Sequence, residues 1–113
     1  MRHEESIIQS SIVSALSLAG VYVFMVPNGE LGKITQAAAG RAKAMGLRSG
    51  ISDLVVMSPA GVAHFMEVKT ATGVLSPSQI RFAELCLKKG WRYEVARTVE
   101  QSIDIVKKWG ILS

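Results

Sequence analysis

Apolar positions along the chain change period several times, and each change predicts an element. From about Glu4 to Ala19, Ile8, Ile12, Ala15, Leu16 and Ala19 recur at helical spacing and form one stripe, so this stretch is read as an amphipathic helix that Gly20 ends. Val21 to Val26 is a β-branched and aromatic run closed by Pro27, which predicts a strand. Gln36 to Met45 reads as a helix weakened by Gly40; a mobile clamp over a substrate is the alternative. Two further strand patterns, Asp53 to Ser58 and Val62 to Lys69, flank Pro59-Ala60-Gly61. Ser76-Pro77-Ser78-Gln79 is a helix start, with serine at the N-cap, proline in the first turn and glutamine at N3. Ile80, Ala83 and Leu87 are read as that helix's buried stripe, and Lys88-Lys89-Gly90 as its end. Trp91 to Ala96 is the last strand, and Thr98 caps a final helix through Trp109 that Gly110 stops. The order predicts one α/β domain over residues 1–113, a mixed central β-sheet flanked by helices.

The three-residue connection has chemical consequences. Such hairpin loops are usually a type I turn followed by a left-handed residue, and proline and glycine suit the first and last of those positions. In that register Ser58 pairs with Val62, and counting outward sets Asp53 opposite Glu67. Opposed residues point to one face with Cβ atoms roughly 5 Å apart, and Lys69, two residues on, shares that face. A two-residue loop would send the carboxylates to opposite faces. An isolated Glu-x-Lys usually means only a solvated strand face; Asp53 in matching register is what sets this one apart. Two carboxylates held so close must share a proton or a cation. Oxygen-only ligation favours magnesium or manganese. A lysine beside them can hold a water or a phosphate oxygen.

Charge adds a partner to this picture. The net charge is +4 with 49% hydrophobic residues, a modestly basic chain able to build a core. Between Asn28 and Gly50 the bases are Lys33, Arg41, Lys43 and Arg48, Glu30 is the only acid, and glycine is frequent. Glycine lets backbone approach phosphates and the cations neutralise them, so these four are the candidate DNA-binding residues; a flexible, solvated basic loop is the alternative. The segment has no interleaved aromatics, which argues against base stacking as its main mode. It leads directly into Asp53, so DNA held there would reach the carboxylates. No apolar run approaches the roughly 20 residues of a membrane span, and the first residues are polar, unlike a signal peptide. A cytoplasmic protein with no membrane partner is expected. Cys86, the lone cysteine, is read as core, and the scarcity of Cys and His argues against structural zinc.

Asp53 followed by Glu67-Val68-Lys69 resembles the D-(x)n-E-x-K signature of the PD-(D/E)XK nuclease superfamily. Gly46 to Leu54, Phe65 to Thr70 and Gly73 to Gln79, with Glu5 and Gln9 on the first helix and Pro27-Asn28-Gly29, narrow the resemblance to the virus-type replication-repair nuclease (VRR-NUC) domain over nearly the whole chain. Ser52 stands where the superfamily name has proline; it is not a ligand, so the chemistry is unaffected. The resemblance implies a restriction-endonuclease-like fold and a magnesium- or manganese-dependent deoxyribonuclease. Asp53, Glu67 and the Val68 carbonyl would bind the metal, Lys69 would orient or help deprotonate the attacking water, and the products would be a 5′-phosphate and a 3′-hydroxyl. Glu5 would add a ligand directly or through water. It lies nearer the apolar stripe than Glu4, although both glutamates also simply suit a helix amino terminus. Gln79, sufficiently explained as a capping-box residue, would also lie near the active site. The implied substrate is branched DNA, a Holliday junction or flap, in replication and repair within a bacterial or phage-infected cell, with a homodimer placing two sites on two strands. The competing reading is a non-catalytic nucleic-acid-binding protein of the same fold.

Overall fold

The structure, a computed structural model, describes residues 3–27 and 36–113. The element order is α1 (His3–Leu18), β1 (Tyr22–Met25), α2 (Gln36–Ala44), β2 (Leu54–Met57), β3 (Ala63–Val68), α3 (Pro77–Lys89), β4 (Tyr93–Ala96) and α4 (Val99–Lys108). The strands form one sheet in the order β1-β2-β3-β4. The first two pairings are antiparallel and the last is parallel, which is the mixed sheet expected.

Strand alternation separates two faces. On one, Leu54, Val56, Met66, Val68 and Ala96 form a closed cluster with Ile12 and Leu16 of α1, Ile105 and Val106 of α4, and Trp109 at its C-cap. On the other, α3 covers the β3–β4 half. Phe82 meets Phe65 edge-on at 5.1 Å and Tyr93 at 5.9 Å, a geometry aromatic quadrupoles favour. Cys86 is buried beside them, and burial pushes its thiol pKa up, which fits a core residue.

The stripe expected for α3 is wrong. Ile80 and Leu87 are exposed, and the inward positions are Gln79, Phe82, Ala83 and Cys86. The helix is rotated so that a polar residue, Gln79, heads the inward stripe. Hydrophobicity alone could not choose that rotation. Along α1, Ile12 and Leu16 are buried as expected, but Ala19 lies beyond the helix and is exposed. The last strand is shorter than predicted, leaving Trp91 and Arg92 before it. The Gln36–Ala44 segment is helical but buries no side chain.

The hairpin register is the one the turn dictates. Leu54 pairs with Met66 and Met57 with Ala63. The Ser58 amide donates to the Val62 carbonyl at 2.9 Å. Gly61 has φ +85°, the left-handed residue this loop requires. Among the described residues no helix is long and apolar enough to cross a membrane.

Candidate active site

At one end of the sheet, one side of α1, the end of β1, the segment leading into β2 and the first turn of α3 surround a cleft of about 880 Å³, with Glu67 held behind its Asp53 and Gln79 walls. Its walls include Glu5 and Gln9 from α1, Val26 and Pro27 after β1, Gly50 and Asp53 before β2, and Ser76 and Gln79 at the start of α3.

Asp53 is anchored at both its backbone and its side chain. Its carbonyl accepts the Val26 amide at 2.8 Å, extending the β1–β2 ladder by one residue. Its Oδ2 accepts the Val68 amide at 2.9 Å, which ties it to the end of β3. The buried Ser52 before it donates its hydroxyl to the Leu54 carbonyl at 2.9 Å, a local side-chain-to-backbone bond that proline could not make.

Glu67 is 1% exposed. Its Oε2 accepts from Gln79 Nε2 at 3.0 Å and lies 4.0 Å from Lys69 Nζ. Its Oε1 is buried with no partner. Burial first, and the neighbouring Asp53 carboxylate next, push the Glu67 pKa up to about 9, with Lys69 opposing and Glu5 adding to the rise. A buried, unpartnered acceptor beside a second carboxylate is an unmet electrostatic demand. A proton meets it in one state, and a hard divalent cation meets it in another. The donor set present, two carboxylates and adjacent backbone carbonyls, fits magnesium or manganese.

Gln79 closes the expected capping box and also touches Glu67. Its Oε1 accepts the Ser76 amide at 2.8 Å and its amide donates to Ser76 Oγ, closing the capping box, while its Nε2 holds Glu67. Glu5 faces the cleft, half-buried, whereas Glu4 is exposed. Among the described residues, however, no three His, Cys, Asp or Glu side chains converge closely enough to ligate one ion. Glu5 lies near enough for its charge to act on Glu67. Arg41, Lys43 and Arg48 are all exposed, and Arg48 immediately precedes Ser49 of the cleft wall. Lys33 lies outside the described residues.

Three features of this region were not read from the sequence. Gly50 sits with φ +82° so close to the first turn of α3 that a Cβ would lie 2.3 Å from the Ser78 carbonyl oxygen. Tyr93 has a buried hydroxyl without a partner, and burial followed by the Glu67 charge raises its pKa. Arg97 donates from Nη1 to the Thr70 and Gly73 carbonyls at 2.6 and 2.7 Å. All three depend on contacts between segments distant in the chain. The sequence signal was a glycine, one of several in the chain, at the Gly50 and Gly73 approaches, and none for Tyr93.

A carboxylate pair and a lysine thus lie beside a cleft at one end of a mixed sheet, in a domain of nuclease-type fold. The family model for the VRR-NUC domain matches residues 3–100, and the chain belongs to that family. A solved VRR-NUC domain is similar to it with a TM-score of 0.69 at 24% identity, over 96% of this chain and 99% of that one. A second solved structure, a VRR-NUC domain protein, gives 0.71 at 17% identity, over 100% and 93%. At those identities the two structures speak for the fold. No curated protein matches the chain.

Proposed function

We propose that this protein is a magnesium- or manganese-dependent deoxyribonuclease that cuts branched DNA. The observation that carries the reading is the buried Glu67 carboxylate, whose Oε1 has no partner, beside Asp53 at a cleft wall. Asp53, Glu67 and the Val68 carbonyl would hold the cation, and Glu5 would contribute through water. When bound, the cation supplies Lewis-acid polarisation of the phosphate and makes its water more acidic. Lys69, 4.0 Å from Glu67 on the same face, orients the attacking water and takes part in its deprotonation. Gln79 keeps Glu67 Oε2 occupied, so that Oε1 is the oxygen left for the ion. The first turn of α3 carries no acidic residue, and its positive dipole end faces the cleft, favouring a phosphate there. Attack in line leaves a 5′-phosphate and a 3′-hydroxyl.

Labelled four-way junction, flap and linear duplex, each with magnesium or manganese, test the proposal. Wild type cuts at least one branched substrate faster than duplex, and both Asp53→Ala and Lys69→Ala lose about a hundredfold or more in rate. Intact DNA binding with no cutting of any substrate under either metal would replace this reading with a non-catalytic binding protein.

Arg41, Lys43 and Arg48 neutralise backbone phosphates, which positions DNA without reading its sequence. Replacing Arg41 and Lys43 with glutamine is expected to flatten the slope of log affinity against log salt by about 1.8, roughly 0.9 per lost contact. An unchanged slope would exclude the pair.

The domain acts as a homodimer in this reading. β1 is an edge strand, and its Tyr22 and Phe24 are 70% and 44% exposed, apolar surface that a second copy would cover. A monomer mass by light scattering at micromolar concentration, with and without DNA, would sink the dimer.

A further inference from the structure

Lys69 can do its work only if its ammonium is held toward Glu67, yet lysine has a long, flexible stem. What holds it comes from a different strand. Immediately after Lys69 the chain turns, with the Gly73 amide donating to the Thr70 carbonyl at 3.2 Å. Gly73 is then folded back so far that a Cβ on it would lie 3.4 Å from Lys69 Cδ and 3.1 Å from Thr70 Oγ1. The turn is therefore a wall against the Lys69 stem. Within Thr70-Ala71-Thr72-Gly73 itself, the tie recorded is that one long backbone hydrogen bond.

Arg97, the residue after β4, supplies the hold. Its Nη1 donates to the carbonyls of Thr70 at 2.6 Å and Gly73 at 2.7 Å, with Ala71 at 3.5 Å. A charged donor shared among carbonyls makes stronger bonds than a neutral one. Arg97 is itself fixed from behind, since its amide donates to Gln101 Oε1 in the first turn of α4 at 2.8 Å. The Lys69 amide donates to the Ala96 carbonyl at 3.1 Å, so Lys69 and Arg97 leave the parallel β3–β4 pair side by side.

We infer that Arg97 is a positioning residue for Lys69: it clamps the 70–73 turn against the lysine stem and so fixes where the ammonium points. The inference rests on the nuclease reading of the site. Arg97 has no direct role in metal or DNA binding in this account. Lysine at 97 keeps the charge, but its side chain is one atom shorter and its ammonium stops short of where Nη1 meets the carbonyls.

The test is a double-mutant cycle in the full chain with Arg97→Lys, Lys69→Ala and both together, beside hydrogen exchange of residues 70–74. Arg97→Lys is expected to lower kcat about tenfold or more and to leave KM for DNA and calorimetric Mn²⁺ binding unchanged. It should also speed exchange of the turn amides. In the Lys69→Ala background the same change should cost less than about twofold, because its effect runs through Lys69. Arg97→Gln, a weaker donor, should repeat the pattern, so a fold defect peculiar to one variant would be recognised. Additive losses, a raised KM, or unchanged turn exchange would overturn the role of Arg97. A wild-type protein that binds Mn²⁺ but cuts nothing would instead overturn the nuclease reading, and this positioning role with it.

Discussion

Glu67→Gln is expected to abolish cleavage while making the metal-free protein more stable. Glutamine preserves the shape and can still pair with Gln79, but it cannot balance a divalent cation. A loss of about a hundredfold or more in rate follows if the carboxylate holds the metal. The stability gain has a definite sign. The folded carboxyl keeps its proton up to about pH 9, and the unfolded one releases it near 4.5. Below 4.5 both states are protonated, and this group adds no pH dependence. Between 4.5 and 9 the unfolded state holds fewer protons, so stability falls as pH rises, by about 1.4 kcal/mol per unit at most. Above 9 the loss is complete. In chelator, melting of the wild-type protein should therefore drop by roughly 5 °C per unit across neutral pH, while Glu67→Gln stays nearly flat. Manganese should restore the wild type at high pH and leave the variant unchanged. A wild-type melting temperature that is level from pH 5 to 9 in chelator would show that Glu67 is ionised in the folded protein. The account of a carboxyl that keeps its proton until a cation replaces it would then fail.

Gly50→Ala should damage both stability and activity, although the residue bears no functional group. Its φ of +82° is unfavourable for alanine by about 1–2 kcal/mol. The new Cβ would also sit 2.3 Å from the Ser78 carbonyl oxygen and 2.5 Å from its carbon, backbone atoms that cannot step aside. The 49–52 segment would have to lift off the first turn of α3, the turn that presents Gln79 to Glu67. A loss of about 2–4 kcal/mol is expected, with a fall of about tenfold or more in cleavage measured well below the melting temperature. Gly40→Ala is the control. It lies within α2 with a negative φ and open space around it, so it should be neutral or stabilising by about 0.5–1 kcal/mol. Chemical denaturation of the two variants side by side distinguishes them. Equal behaviour would mean that Gly50 does not pack as described.

Much of the site was legible before any coordinates because the hairpin is local. Pro59-Ala60-Gly61 determines the loop, the loop determines the register, and period-two alternation then sets Asp53, Glu67 and Lys69 on one face. The capping box at Ser76 was equally local and is present as read. Where the sequence reading failed, long-range packing decided. The inward stripe of α3 was assigned to Ile80, Ala83 and Leu87, but the helix turns Gln79, Phe82 and Cys86 inward, and only Ala83 keeps its half-buried place. An amphipathic pattern leaves the rotation of a short helix open within one residue, and a buried carboxylate on another element settled it.

The sequence by itself thus determined the element order, the hairpin register and the facing carboxylate pair, because each follows from a periodic pattern or from the three-residue loop that joins two adjacent strands. Only the tertiary structure decided how deeply Glu67 is buried, that Gln79 rather than Ile80 faces it, that Glu5 approaches without joining a three-carboxylate cluster, and that Arg97 braces the turn beside Lys69. Those facts arise where segments 12 to more than 60 residues apart meet. No periodicity within one segment carries information about the distance to another.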